Sequence, residues 1–370
     1  MKKKYLVLSL SILTAVIISY FLFDVFETKN KNTSSQATNL SKGSKSSTII
    51  DKNNNIKIKI PSSEIFSYNI YKDIIYMSID ENSKSKLGNK IIQYNIKTKR
   101  KSNLFTTKFE SSSVQGIKAN NNWVTWVDAD DYGEQKNIYA MNTNTRKITA
   151  ITNEHDTTID NGFPALRDHY LSWIYYDKNK NKSYVMLRDL NKKTNKNIFI
   201  LETFGPENSR VSFVNNKILF TDQKKGVSYC YIYNISNQTL QTFKVPYENI
   251  GMATILNDHQ FLYLRFYSDR YFDNKVVLYD IRRKKEKEFS KQYMNVSKLV
   301  VDSQNHVLIG TGDKIDFDKY EVADNTINKI GKINENNIFD LQIENGVYMI
   351  EKRPRNSNIG TELIISKNLP

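Results

Sequence analysis

The chain has one cysteine in 370 residues, Cys230. A single thiol cannot form an intramolecular disulfide, and it cannot supply a zinc site built from cysteines. Helical patterns are also missing: from Ile56 onward no segment of ten or more residues shows helical periodicity. Short apolar runs instead alternate with turns rich in Asn, Asp, Gly and Lys, a pattern that predicts an all-β chain.

Positive charge is in excess, with a formal net charge of +15. Of the residues, 39% are hydrophobic and 12% aromatic. This composition is sufficient for a hydrophobic core. The basic residues are scattered, without a dense block outside the N-terminus. Scattered positive charge is typical of a chain near an anionic surface. We therefore expect a protein or an anionic cell-wall polymer as partner, and no nucleic acid.

The N-terminus has the pattern of a membrane anchor. Three lysines in residues 1–4 precede an uncharged run at 5–23. Nineteen residues nearly span a bilayer, and the positive flank stays in the cytoplasm. Residues 24–54 are mostly polar and predict a flexible extracytoplasmic linker. The sequence thus predicts a single-pass protein of a bacterial cell membrane with its bulk, residues 55–370, outside; secretion after signal cleavage is the alternative.

One strand pattern recurs seven times at similar spacing. Its copies are Ile74-Ile-Tyr-Met, Trp123-Val-Thr-Trp, Tyr170-Leu-Ser-Trp, Lys217-Ile-Leu-Phe, Phe261-Leu-Tyr-Leu, Val307-Leu-Ile-Gly and Val347-Tyr-Met-Ile. The following strands begin 43 to 47 residues apart, a period typical of propeller blades. We predict a seven-bladed β-propeller of four-stranded antiparallel blades, with six blades as the alternative. Trp126 and Trp173 then belong to the core between blades, at positions equivalent to Tyr76, Phe220, Tyr263, Ile309 and Met349.

The last repeat lacks a fourth strand, because only residues 366–370 follow Leu363-Ile-Ile. The alternating stretch Asn55-Ile-Lys-Ile-Lys-Ile-Pro precedes the first full repeat and belongs to no other blade. We therefore expect it to close the seventh blade from the N-terminal side.

Loops between the second and third strands of the blades are the predicted recognition surface. They are rich in Tyr and Arg, the residue types that dominate binding hot spots. The candidate ligand-binding residues are Tyr132, Tyr175, Phe266, Tyr267, Arg270, Tyr271, Arg353 and Arg355.

Metal sites have weak support in the sequence. His169, His259 and His306 fall at the same hairpin position of different blades, where turn preference explains them, and His155 stands in a loop. The stretch around Asp128, Asp130 and Asp131 resembles half of a calcium loop, but Tyr139 occupies the position of the required bidentate Glu. An exposed acidic hairpin is the preferred interpretation, with calcium as the alternative.

Common catalytic motifs are missing as well. We find no Gly-x-Ser-x-Gly elbow, no phosphate-binding Gly-x-x-x-x-Gly-Lys-Ser/Thr loop, no His-Glu-x-x-His and no sialidase-type Asp box. These absences favour a non-enzymatic binding or scaffold module. The alternative is a glycan-processing enzyme, which would need carboxylates that converge at the propeller axis.

The stretch Pro164-Ala-Leu-Arg-Asp-His-Tyr-Leu-Ser-Trp173, followed by a strand and Asp189-Leu-Asn-Lys-Lys-Thr194, resembles the repeat of the TolB-like β-propeller family. The resemblance covers about residues 64 to 370 and does not include the α/β domain of TolB. It implies the propeller fold, and it implies neither a substrate nor the partners of TolB.

Overall fold

A computed structural model describes residues 47–50, 56–60, 65–80, 88–109, 112–130, 133–153, 156–203, 210–246, 249–267, 273–292, 294–302, 304–312, 316–323, 326–333, 338–344, 346–353 and 361–366. The predicted cytoplasmic end, residues 1–4, and the predicted anchor, residues 5–23, lie outside them. Within the described ranges, no helix has the length and apolarity needed to cross a membrane.

The described chain forms seven antiparallel sheets arranged as the blades of a propeller, and the predicted fold class is confirmed with seven blades. The N-terminal strands are β1 (Ser47–Ile50) and β2 (Ile56–Ile60). Blade one contains β3 (Ile65–Tyr71), β4 (Ile74–Ile79), β5 (Lys90–Asn95) and β6 (Lys101–Thr106). Blade two contains β7 (Ser112–Ala119), β8 (Trp123–Asp130), β9 (Lys136–Asn142) and β10 (Ile148–Ala150).

Blade three contains β11 (Ile159–Asn161), β12 (Ala165–Arg167), β13 (Tyr170–Asp177), β14 (Lys182–Asp189) and β15 (Thr194–Leu201). Its first strand is split into β11 and β12, which both pair with β13. Pro164 lies between the two segments and has no N–H to donate to the sheet. Blade four contains β16 (Ser212–Val214), β17 (Lys217–Lys224), β18 (Val227–Asn234) and β19 (Thr239–Val245).

Blade five contains β20 (Ile250–Asn257), β21 (Gln260–Phe266), β22 (Asn274–Asp280) and β23 (Lys285–Glu288). Blade six contains β24 (Val296–Val301), β25 (His306–Thr311), β26 (Asp316–Ala323) and β27 (Thr326–Lys332). Blade seven contains β28 (Ile338–Glu344), β29 (Val347–Lys352) and β30 (Thr361–Ser366).

The N-terminal strands complete blade seven, as predicted. Strand β2 pairs antiparallel with β30, with Ile58 opposite Leu363. Strand β1 then pairs with β2, so the sheet has five strands rather than four. Strand β1 lies within residues 24–54, where a linker was predicted. Its sequence, Ser-Thr-Ile-Ile, has only two apolar residues and does not stand out from the polar residues around it. Only the pairing with β2 defines it as a strand.

The turns after the third strands form as their sequence predicts. In blades one to five, this turn begins with an Asn or Asp whose side chain accepts hydrogen bonds from backbone N–H groups further along the turn. Asn142 Oδ1, for example, accepts from Thr145 N at 3.0 Å, and Asp189 Oδ1 accepts from Lys192 N at 2.9 Å. The last turn residue adopts a positive φ, as at Arg146 with 60°. Because these tight turns fix the register, every blade presents its apolar residues to its neighbours.

The core lies between blades, and the predicted role of the tryptophans is confirmed. Trp126 is fully buried. Its ring stacks on Tyr139, with ring centroids 5.7 Å apart, and lies tilted against Phe105 of blade one, with centroids 5.0 Å apart. Trp173 likewise packs against blade two. The proposed equivalence is wrong by one residue at two positions: Tyr76 packs against blade two and Met349 against blade one, whereas the tryptophans face the preceding blade. Strand side chains alternate between faces, so a shift of one residue reverses the face.

Candidate active site

The first strands of consecutive blades contact one another around the axis of the ring, and we call them the inner strands. Side chains link them: Ser67 Oγ on β3 accepts a hydrogen bond from Ile117 N on β7 at 3.0 Å, and the hydroxyls of Ser212 on β16 and Thr254 on β20 lie 3.1 Å apart. The inner strands therefore surround the central channel that the blades of a propeller enclose. We call the end at which the inner strands begin, and the second strands end, the mouth.

Two carboxylates lie side by side at the mouth. Asp340 on inner strand β28 is directly opposite Glu351 on β29. Opposite residues of an antiparallel pair share one face of the sheet, with Cβ atoms about 4.5 to 5.5 Å apart. Glu351 points toward blade one because it shares a strand face with Met349, which packs there. The enzyme alternative requires carboxylates that converge at the axis, and Asp340 and Glu351 are a pair on neighbouring strands, of which Asp340 lies on an inner strand.

Asp340 joins blade seven to blade six. Its Oδ1 accepts a hydrogen bond of 2.5 Å from Lys298 Nζ on β24, and its Oδ2 accepts one of 2.9 Å from Gln342 Nε2. Burial opposes ionisation of Asp340, but the charge and hydrogen bond of Lys298 outweigh it, so the pKa of this carboxyl is lowered. The Asp340 side chain is 18% exposed. The channel thus presents an ionised carboxylate that water can reach.

Glu351 is held by Arg353, which was a predicted ligand-binding residue. Arg353 Nε donates to Glu351 Oε1 at 2.8 Å, and Nη2 donates to the carbonyl oxygen of Ile65 in blade one at 2.8 Å. The guanidinium also lies over the ring of Phe339, 3.4 Å from its centroid. The Glu351 side chain is only 3% exposed, so it is itself held in place by its surroundings. Its ion pair with Arg353 therefore fixes the guanidinium at the mouth.

Tyr68 of blade one completes the group. It is buried on inner strand β3. Burial raises the pKa of its hydroxyl well above the ordinary value, and the charges of Asp340 and Glu351 raise it further. The Tyr68 hydroxyl therefore stays protonated beside the two carboxylates. We call Tyr68, Lys298, Phe339, Asp340, Glu351 and Arg353 the axial cluster.

The other predicted ligand-binding residues lie elsewhere. Tyr175 stacks on Tyr184 in blade three, with ring centroids 4.9 Å apart. Phe266 packs between blades five and six. Tyr267 is 38% exposed and belongs to an ionic network of blade five, where its hydroxyl and Arg265 both donate to Glu288. Tyr132, Arg270, Tyr271 and Arg355 lie outside the described residues. The structure thus distributes the described candidates over three blades and places only Arg353 in the axial cluster.

The acidic hairpin uses its carboxylates for internal bonds. Asp128 is fully buried and accepts hydrogen bonds from Thr107 Oγ1 at 2.6 Å and Lys108 N at 3.1 Å, which ties blade two to the end of blade one. Asp130 Oδ1 accepts from Glu134 N at 2.8 Å within its own turn. Asp131 lies outside the described residues. The two described carboxylates therefore have structural partners in this hairpin.

Histidines in the described chain also have local partners. His306 Nδ1 lies 2.8 Å from Asp302 Oδ2, and His259 Nε2 lies 2.6 Å from Arg282 Nη2. His155 lies outside the described residues. Among the residues that can be described, no three or more His, Cys, Asp or Glu side chains form a group suited to a metal ion.

Five residues of the axial cluster were missed by sequence reasoning: Tyr68, Lys298, Phe339, Asp340 and Glu351. Asp340 and Glu351 each stand in a strand of otherwise mostly apolar residues, Ile338–Glu344 and Val347–Lys352. A carboxylate in such a strand requires a buried partner, and this was the available signal. Their proximity could not be read, because it depends on the register between the two strands.

Comparisons with known proteins establish the fold. The chain matches a solved oligogalacturonate lyase in complex with manganese, with a TM-score of 0.58 and 9% identity over 88% of this chain and 96% of that one. It matches the β-propeller domain of the Trilobed protease from Pyrococcus furiosus, with a TM-score of 0.59 and 11% identity over 83% and 94%. TolB from Acinetobacter baumannii matches with a TM-score of 0.45 and 11% identity over 82% and 79%.

No family model and no curated protein sequence matches the chain. The class is therefore set by fold: the chain is a seven-bladed β-propeller. The TM-score of 0.45 to TolB is too low to support membership of the TolB-like family, which therefore stays a prediction.

The prediction of a non-enzymatic binding or scaffold module is overturned by the match to oligogalacturonate lyase. That prediction treated the propeller as a platform without chemistry. The lyase shows that a propeller can be nearly the whole of an enzyme, since 96% of its chain is matched. At 9% identity the match shows the shared fold, and the reaction of the lyase belongs to that protein.

Manganese accompanies that lyase, so the axial cluster must be tested for a metal. Divalent cations of this kind prefer several oxygen or imidazole ligands. Asp340 and Glu351 provide oxygens, but Lys298 and Arg353 already neutralise them. The described part of the cluster therefore does not fit a metal ion, and no step below involves one.

Proposed function

We propose that the protein is a glycan-processing enzyme that cleaves an acidic polysaccharide at the axial cluster by β-elimination. The observation that carries this proposal is the opposed pair Asp340 and Glu351 at the channel mouth, each bound to a cation. The pair combines a carboxylate that can accept a proton with positive charges that can bind an acidic sugar.

Lys298 and Arg353 support an acidic substrate. Both side chains are partly exposed at the mouth, and both are held in position by their carboxylates. A sugar carboxylate next to them would be neutralised, which makes the hydrogen on the adjacent carbon more acidic. The net charge of +15 would attract a polyanion to the surface.

Asp340 is the proposed proton acceptor. In β-elimination a base removes the proton adjacent to the sugar carboxylate, the C–O bond to the leaving sugar breaks, and a carbon–carbon double bond forms. Asp340 is ionised and accessible, as this role requires. The leaving oxygen must gain a proton, and Asp340, protonated by the abstraction, returns that proton to it.

Elimination fits the cluster better than hydrolysis does. A hydrolase with two carboxylates needs one of them protonated, so that it can donate a proton to the leaving group. Here the pKa of Asp340 is lowered, and Glu351 accepts a charge-assisted hydrogen bond from Arg353. Neither carboxylate is suited to act as the acid. The lyase neighbour has the same fold, which makes elimination the first reaction to test.

The biological setting is part of the same proposal. We propose that the predicted anchor, residues 5–23, holds the propeller on the outside of a bacterial cell membrane, where the acidic substrate is a polymer of the cell wall or surface. The scattered positive charge supports an anionic polymer at that location.

Incubation of the purified protein with oligogalacturonate and other acidic glycans tests the reaction. Elimination creates a conjugated double bond that absorbs in the ultraviolet, whereas hydrolysis creates only a new reducing end. Asp340→Asn should lower the rate by at least about a hundredfold, the usual contribution of a general base. Asp318→Asn is the matched control, because Asp318 also pairs with a lysine, Lys329, at 2.6 Å but lies on β26, away from the inner strands.

Two results would contradict the proposal. The first is the absence of unsaturated product from every acidic glycan tested. The second is an Asp340→Asn variant that is as active as Asp318→Asn, because the carboxylate at the axis would then have no part in the reaction.

A further inference from the structure

Phe339 has an unusual position for an inner-strand aromatic residue. The register pairs Ile338 with Lys352 and Asp340 with Glu351, so Phe339 is the extra residue of a β-bulge. Bulges redirect a side chain out of the regular alternation, and they are common beside active sites. The Phe339 side chain is 45% exposed, although its neighbours Ile338 and Leu341 are buried. The bulge therefore places an aromatic ring at the mouth, next to Asp340.

The ring is held in a fixed orientation. Arg353 lies over one face, with its guanidinium carbon 3.4 Å from the ring centroid. Two further bonds fix the guanidinium, to Glu351 Oε1 and to the Ile65 carbonyl oxygen, both at 2.8 Å. An exposed aromatic ring that is immobilised from one side loses little entropy when a ligand covers its other side. This is the arrangement of a binding platform.

We propose that Phe339 is a stacking platform that binds a sugar ring of the glycan adjacent to Asp340. This inference rests on the proposed function, because it assumes a glycan at the axial cluster. A pyranose has an apolar face of C–H groups whose slightly positive hydrogens match the negative face of an aromatic ring. Hydroxyl and carboxylate groups at the edge of the sugar would reach Lys298 and Asp340. The platform thus determines which sugar ring is presented to the carboxylate.

A structural role for Phe339 predicts different behaviour. If the ring only supports Arg353, its removal should affect the binding of acidic sugars through the displaced guanidinium and leave neutral sugars unaffected. Stacking on C–H groups does not depend on the charge of the sugar. A charged ligand and its neutral ester therefore separate the two roles.

The test measures binding of an oligogalacturonate and of its methyl ester by calorimetry, in an Asp340→Asn background that prevents turnover. We expect Phe339→Ala to weaken the binding of both ligands by about tenfold, and Phe339→Trp to retain it. Ile330→Ala is the matched control, since Ile330 on outer strand β27 is 46% exposed against 45% for Phe339. It should leave both affinities within about twofold, as expected for a side chain outside the site.

Three outcomes would overturn the platform: loss of acid binding alone in Phe339→Ala, unchanged binding of both ligands in that variant, or no binding of either ligand by the background protein. A wild-type protein that produces no unsaturated sugar, combined with the expected binding losses, would reject the elimination and retain the platform. Turnover by the wild type, with binding unchanged in Phe339→Ala, would reject only the platform.

Discussion

Lys298 on the inner strand of blade six donates a hydrogen bond of 2.5 Å to Asp340 on the inner strand of blade seven. The contact joins two separate sheets at the axis of the ring. Lys298 and Asp340 are 42 residues apart in the sequence and lie in different sheets, so only the closure of the blades around one axis brings them together. The same contact sets the charge state of Asp340, so it connects the stability of the ring to the chemistry of the site.

Lys298→Met should destabilise the protein by roughly 1 to 2 kcal/mol, because it leaves a partly buried carboxylate without its cation. The sign of the pH dependence follows from the lowered pKa of Asp340. In the wild type its contribution is present above the unfolded pKa of about 3.9 and is lost as the pH falls through the lower folded pKa. Without Lys298, burial raises that pKa, so Asp340 no longer adds stability above about pH 3.9. The deficit of the variant relative to the wild type is therefore full near neutral pH and shrinks as the pH falls.

Denaturant unfolding at a series of pH values measures this effect. Lys329→Met is the control, because Lys329 binds Asp318 at 2.6 Å within blade six and is itself well exposed. Coincident acid-unfolding profiles for Lys298→Met and the wild type would show that the blade contact does not stabilise the ring.

Ile58→Ala should destabilise the protein by about 2 to 5 kcal/mol, the usual cost of truncating a fully buried isoleucine. Ile58 on β2 is opposite Leu363 and packs in the cluster that joins blades seven and one. Thermal unfolding measures the change, with Ile200→Ala, exposed on β15, as a control that should have little effect. Equal melting temperatures for the two variants would mean that β2 does not close the ring.

Gly116→Ala should destabilise the protein by at least about 1 kcal/mol, the cost of strain at a positive φ. Gly116 has φ of 62°, and a Cβ there would lie 2.8 Å from Phe163 Cδ1. Gly331→Ala is the matched control, because nothing lies within 4 Å of a Cβ at that position. Unfolding free energies of the two variants measure the difference, and a variant at Gly116 as stable as that at Gly331 would contradict the strain.

The architecture was predictable because its determinants are local and repeated. The turn residue Asn142 caps its own backbone, and Trp126 fills the interface next to its own strand pair. Each blade repeats these signals, so seven weak patterns support one another. Closure by β2 was predictable for a related reason, since an unpaired strand remained at each end of the chain.

The axial cluster was not predictable in the same way, because its members belong to three blades. Lys298, Asp340 and Tyr68 converge only when the ring closes, and Phe339 is exposed only because of a bulge that the sequence does not mark. Tyr and Arg content alone pointed to Tyr267, which the structure places in an ionic network with Glu288. Arg353 was identified, but its fixed position depends on Glu351, which shares with Met349 the strand face toward blade one.

The pH dependence of the proposed reaction should depend on Lys298. Asp340 must be ionised to accept a proton, and its lowered pKa keeps it ionised in mild acid. The acid limb of kcat/KM for an acidic glycan should therefore lie below the usual range of an aspartate in the wild type. Lys298→Met should move this limb to higher pH, because burial then raises the pKa without an opposing cation. Arg353→Met should lower kcat/KM and move the limb to higher pH by less than Lys298→Met does, since Arg353 binds Glu351 and reaches Asp340 only through the charge of Glu351. An acid limb at the same pH in all three proteins would exclude Asp340 as the base.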